Sequence, residues 1–111
     1  MPFFKVCLTN EISTKKPKKI SLNGEEILIA KSTDDRYFAF TNTCSHEEKP
    51  LENGKWDAEK CEMTCPFHKA VFAIANQGAV VAPPAFVSLQ IYPVEIKTEG
   101  GQEFIYVEVD I

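Results

Sequence analysis

Two short stretches place a soft sulfur ligand close before an imidazole. Cys44 and His46 are separated by one residue in "TCSHEEKPL", and Cys65 and His68 by two residues in "TCPFHKAVF". These two histidines are the only ones in the chain, and eighteen residues lie between His46 and Cys65. A single loop histidine is usually a solvated side chain. Two of them, each tied to a cysteine, point to a metal centre with mixed sulfur and nitrogen donors.

The order of the donors bears on the metal. Zinc fingers pair like with like, two cysteines in one knuckle and two histidines in the next. Here each pair mixes the types. One tetrahedral zinc can be built from such a set, as in a zinc-binding interaction module. A two-iron cluster fits better, because thiolate donates charge while neutral imidazole leaves its iron easier to reduce. If each loop gives its Cys to one iron and its His to the other, the two loops clamp the cluster between them.

Such loops need a rigid frame, and the remaining sequence reads as strands and turns. "FFKVCL" is followed by a polar turn and then by "KKISLNGEEILIA", in which Asn23–Gly24 is a two-residue hairpin signal. "RYFAFTN" continues from the turn at Thr33–Asp35. "EGG" turns the chain between strands at Val94–Lys97 and Phe104–Val109. Single helical turns are expected only near Thr9–Ile12 and Trp56–Lys60. Short strands at regular spacing predict an all-β antiparallel sandwich or small barrel, with both Cys–His pairs on its loops.

Composition narrows the classes further. The chain has 111 residues, one domain's worth, spanning 1–111 without an evident linker or repeat. Its net charge of −4 argues against nucleic acid, which is bound by Lys and Arg. No apolar run approaches the ~18 residues of a membrane span. "MPFFKVCLTNEI" lacks a basic segment followed by a long apolar run, so a cytoplasmic protein with reduced thiols is expected.

At this point the sequence resembles a known family. "CSH" (Cys44–His46) and "CPFH" (Cys65–His68) are similar to the two cluster-binding boxes of Rieske proteins. "KPLENG" (Lys49–Gly54) and "VVAPPA" (Val80–Ala85) resemble the stretch after the first box and the proline-rich loop that covers the cluster. The resemblance implies one [2Fe–2S] cluster per chain, with Cys44 and Cys65 on one iron and His46 and His68 on the other. It also implies a fold of three stacked antiparallel sheets with the two cluster loops at one end. Glu48 and Lys69 stand where the family's boxes usually carry glycine.

The resemblance further separates branches of the family. The respiratory branch has an extra disulfide whose cysteines would fall at Lys49 and Phe67, and hydroxyls that would fall at Ala70 and Phe72. None of these groups is present. Fewer hydrogen bonds to the cluster, and Glu47 and Glu48 beside it, predict a midpoint at the low end of the Rieske range, near roughly −150 mV. A free-standing domain of this kind looks like a monomeric ferredoxin. It would be an electron carrier rather than an enzyme, with a flavin-dependent reductase as donor and an oxygenase or reductase as acceptor. The alternative in the same fold is a small relay subunit of a larger reductase, similar to that of nitrite reductase. Phe67 would be either a docking contact or packing over the cluster.

Other features have plainer readings. Cys61, four residues before Cys65, is expected to be a thiol rather than a disulfide partner or third ligand. Cys7 is read as a small core residue, and Trp56 as packing for a hairpin between the boxes. "KKPKK" (Lys15–Lys19) is expected to be a solvated loop, with steering of an acidic partner as its secondary role.

Overall fold

The computed structural model describes residues 3–22, 24–43, 51–66, 70–82 and 89–109. Eleven strands lie within these residues: β1 (Phe3–Leu8), β2 (Lys18–Leu22), β3 (Glu25–Lys31), β4 (Tyr37–Thr41), β5 (Lys55–Asp57) and β6 (Glu62–Thr64). β7 (Val71–Ala73), β8 (Ala79–Ala82), β9 (Ile91–Tyr92), β10 (Val94–Glu99) and β11 (Gln102–Glu108) complete the set. They form three antiparallel sheets, ordered β1-β11-β10, β2-β3-β4-β9 and β5-β6-β7-β8. The all-β expectation and its three-sheet form are both met.

Turn chemistry sets the registers. Leu22 pairs with Glu25 across the first hairpin, and Gly24 has φ +83°. Gly100 and Gly101, both at positive φ, make the two-residue turn that pairs Glu99 with Gln102. Positive φ at both centre positions matches the right-handed strand twist, which explains two glycines in succession.

β3 shows how the layers stack. Ile27, Leu28, Ile29 and Ala30 are all fully buried, although a strand with one wet face would alternate. Ile27 and Ile29 join Ala39, Ile105 and Val107 in one core, against the β1-β11-β10 sheet. Leu28, Ala30 and Phe40 join Trp56, Met63, Phe72 and Ile74 in the other, against the β5–β8 sheet. The β2-β3-β4-β9 sheet is therefore the middle layer, covered on both faces.

Trp56 fills its expected packing role. Its ring stacks on Phe40 at 6.1 Å between centroids, and its indole N–H donates to the Lys31 carbonyl at 2.9 Å. That bond ties the short β5–β6 hairpin to the middle sheet. The helical turn expected near Thr9–Ile12 is present as a 3-10 turn at Thr9–Glu11. The one expected at Trp56–Lys60 is instead β5 followed by a turn, because the Asp57 carboxylate accepts the N–H groups of Glu59 and Lys60 at 3.1 and 3.0 Å. A second 3-10 turn occurs at Ile74–Asn76.

The Lys15–Lys19 segment meets expectation in part, since Lys15 and Lys16 are exposed and lie outside any strand. Pro17 is buried, and Lys18 and Lys19 begin β2 rather than a loop. Lys19 lies 3.2 Å from Glu52 and 3.7 Å from Glu26, so its charge is already engaged.

Candidate metal centre

The β5–β8 sheet sets out the candidate site. Lys55 pairs with Thr64, Thr64 with Val71, and Val71 with Ala82, so four strand ends form one row. From this row depart the second Cys–His loop, between Thr64 and Val71, and the loop carrying Pro83 and Pro84, after Ala82. The segment bearing the first pair enters the sheet there at Lys55. Three connections therefore leave one end of one sheet, where a rigid frame presents loops for chemistry.

Cys65 is the ligand candidate among the described residues. It has no exposed surface and sits in the core shared with Leu51, Ala70 and Phe72. Its N–H donates to the Ala70 carbonyl at 2.7 Å, closing the second loop one step beyond the Thr64–Val71 pair. Cys44, His46 and His68 lie outside the described residues. So do Glu47, Glu48, Lys49, Phe67 and Lys69, and the prolines of the proline-rich loop.

The first loop is closed from the middle sheet. Leu51 N–H donates to the Asn42 carbonyl at 2.6 Å, joining the two limbs that flank Cys44 and His46. Beyond Leu51, Gly54 runs against the second loop's stem. A Cβ added there would lie 2.1 Å from the Thr64 carbonyl oxygen. Only glycine permits this approach, and it brings the return limb of the first loop against the residue preceding Cys65. Glu52, on the same limb, has its carboxyl held below the ordinary range by the Lys19 ammonium and then by the Asn42 amide.

Cys61 takes no part in this end. It precedes β6 while Cys65 follows it, so the two Cα atoms stand roughly 13 Å apart along an extended strand. A disulfide needs about 4.4–6.8 Å. The Cys61 thiol is buried against Arg36, whose guanidinium lies 3.7 Å away, and burial pushes its pKa up despite that positive neighbour. Cys7 is a core thiol in β1, pushed up to about 11 chiefly by burial.

A two-iron group with two thiolates and two imidazoles fits this place. Two ferric ions, two sulfides and two thiolates cancel in charge, so the oxidised group can stand against an apolar core without a counter-ion. The buried sulfur of Cys65 and the apolar surfaces of Leu51, Ala70 and Phe72 provide such surroundings.

Comparison with known proteins shows the family. A family model, the Rieske [2Fe-2S] domain, matches residues 2–93. The chain belongs to that family, whose prosthetic group is one [2Fe–2S] cluster in which two imidazoles replace two thiolates on one iron. Among individual proteins, it is 27% identical over 95 residues to Ferredoxin CarAc of Metapseudomonas resinovorans, covering 86% of each chain. It is 28% identical over 108 residues to the ferredoxin component of biphenyl 2,3-dioxygenase from Rhodococcus jostii (strain RHA1), covering 97% of this chain and 95% of that one. The solved structure of the ferredoxin of carbazole 1,9a-dioxygenase from Nocardioides aromaticivorans IC177 superposes with a TM-score of 0.80 at 26% identity. That match covers 95% of this chain and 97% of the other.

Proposed function

We propose that this chain is a one-electron carrier, a single domain over 1–111, that takes an electron from a flavin-dependent reductase and passes it to an oxygenase. Cys44 and Cys65 hold one iron as thiolates, and His46 and His68 hold the other as neutral imidazoles. When bound, the cluster supplies one reversible single-electron step.

The chain's own residues set where and how strongly that electron is held. Cys65, buried at the sheet end, fixes one sulfur in an apolar wall. Ala70 and Phe72, both fully buried, offer no hydroxyl. The added negative charge is then less stabilised, which favours a low potential. His46 and His68, as the imidazole ligands, would provide the electron exit.

The observation that carries this reading is the shared row of strand ends from which the Cys65–His68 loop departs and at which the Cys44–His46 segment enters. The names of the relatives support an oxygenase as the acceptor, since two of them are ferredoxins of dioxygenase systems. Among the described residues no helix is long and apolar enough to cross a membrane. The carrier works as a monomer in the cytoplasm.

The test is the EPR spectrum of anaerobically purified protein after dithionite reduction. An axial or rhombic signal with the low average g of imidazole ligation is expected. The higher average g of an all-thiolate cluster, or a colourless sample containing zinc, would overturn the ligand assignment. Size-exclusion chromatography checks the assembly. A monodisperse monomer is expected, and a large partner that co-purifies in fixed ratio would make the chain a reductase subunit instead.

A further inference from the structure

Ser32 and Asn42 are the buried polar side chains among the described residues. Ser32 serves its own turn, donating to Asp34 and accepting the Arg36 N–H. Asn42 instead bridges three segments of chain. It stands two residues before Cys44, and Leu51, its main-chain partner, stands just beyond residues 43–50.

Every polar group of Asn42 is used. The Leu51 N–H is shared between the Asn42 carbonyl at 2.6 Å and its Oδ1 at 3.1 Å. The Asn42 N–H donates to the Glu26 carbonyl at 3.0 Å. Its Nδ2 donates to two carboxylates, Glu26 Oε1 and Glu52 Oε1, each at 3.3 Å. Lys19 Nζ faces the same pair, 3.7 Å from Glu26 and 3.2 Å from Glu52. Two carboxylates from different segments thus converge on one amide and one ammonium.

We propose that Asn42 is a positioning residue that clasps the first cluster loop shut, and that opposite the Glu52 carboxylate its side chain must be an amide to do so. The inference rests on the cluster reading above. The Oδ1 must accept from Leu51 while the other atom donates to carboxylates, and no carboxylate can do both. Aspartate, though the same shape, would remove the donor and set a third negative charge against Glu26 and Glu52. Without the clasp the loop must be held closed by the cluster bonds alone, and those bonds break more readily.

The experiment compares holo wild type with Asn42→Asp, Glu52→Gln and the double variant. Three readouts are taken: the half-life of the visible absorbance under an iron chelator, the EPR g-values, and deuterium uptake by the peptide containing Leu51. Asn42→Asp is expected to shorten the half-life about tenfold, shift the g-values and raise the uptake. Glu52→Gln keeps an acceptor for the amide and is expected to change the half-life by less than about twofold. In the double variant the new amide at position 52 donates to the new carboxylate at position 42. The contact between positions 42 and 52 is restored with its polarity reversed, while Glu26 keeps only its Lys19 partner, so part of the half-life returns.

An Asn42→Asp protein with wild-type half-life and g-values would overturn the proposal. A double variant no better than Asn42→Asp would also overturn it, because general damage to the loop has no reason to be rescued at position 52. If Asn42→Asp does not accumulate, the double variant decides, since the clasp requires it to fold and keep its cluster. A wild type without the two-iron signal would instead refute the cluster reading. Uptake at Leu51 would then still report on the clasp.

Discussion

Replacing Gly54 by alanine tests the contact that brings the two loops together. The new methyl would meet the Thr64 carbonyl oxygen at 2.1 Å, the Leu51 carbonyl oxygen at 3.0 Å and the Met63 terminal methyl at 3.2 Å. The methionine can swing away, but the two carbonyls belong to backbone that is already hydrogen-bonded. Gly54 N–H itself donates to the Leu51 carbonyl at 2.7 Å, which pins the segment from the other side. Relief therefore requires β5 to part from β6, and overpacking against fixed backbone costs about 3 kcal/mol. For a domain of this size that corresponds to a Tm lower by about 12 °C. Gly24→Ala is the control. It has open space around the added carbon but φ +83°, so strain alone predicts about 1 kcal/mol, or about 4 °C. Thermal unfolding followed by far-UV circular dichroism gives both numbers, and visible circular dichroism of the holo-protein should change only for Gly54→Ala. A Gly54→Ala protein melting within about 2 °C of wild type would refute the claim that this contact is fixed.

Potentiometric titration should give a midpoint near roughly −150 mV, and Ala70→Ser should raise it by about 50 mV if the new hydroxyl reaches the cluster. A midpoint well above zero would remove the case for a low-potential carrier. Cys61→Ser should leave the cluster spectrum unchanged, since Cys61 lies at the far end of β6 from Cys65; loss of the EPR signal would show that it is a ligand after all. Stability should also fall in alkali. Folding raises the Cys7 thiol from 9.0 to about 11 and the Tyr92 phenol from 10.0 to about 12, the latter by burial and then by its bond to Glu25. Both groups favour the native state below their unfolded pKa values, and that support is lost as pH rises through the folded ones. The stability from denaturant melts should fall less with pH across this window in Tyr92→Phe than in wild type, and identical profiles would count against the assignment.

What could be read from the sequence depended on how local each signal was. The hairpin turns at Gly24 and at Gly100–Gly101 were legible because positive φ at these glycines restricts the residues allowed there. The proposed ligands Cys44, His46, Cys65 and His68 stood out because they combine rare residue types at short spacing, and of the four only Cys65 lies within the described residues. β5, β6 and β7, of three residues each, are too brief to show a period, so Trp56–Lys60 read as a helical turn. "KKPKK" read as a loop throughout because composition says nothing of the strand pairing that begins at Lys18 or of partners as distant as Glu52. Asn42 and Gly54 carried no sequence signal as positioning residues. Their role comes from what lies opposite them, which only the fold brings together.

Substitutions in the two cores should behave as if made in separate molecules. Neighbouring residues of β3 send their side chains to opposite faces, so Ile27 and Ile29 pack with one set of residues and Leu28 and Ala30 with another. Pairs taken one from each core share no packing partner, and their effects on stability should add. Drift in the β1-β11-β10 layer can then proceed with little consequence for the redox end. The hairpin from Val94 to Glu108 also lies beyond the stretch that matches the family. Its Gly100–Gly101 tip, on a different sheet from the one that bears the Cys65 loop, is thus a natural place for a dye, an electrode tether or a fused domain.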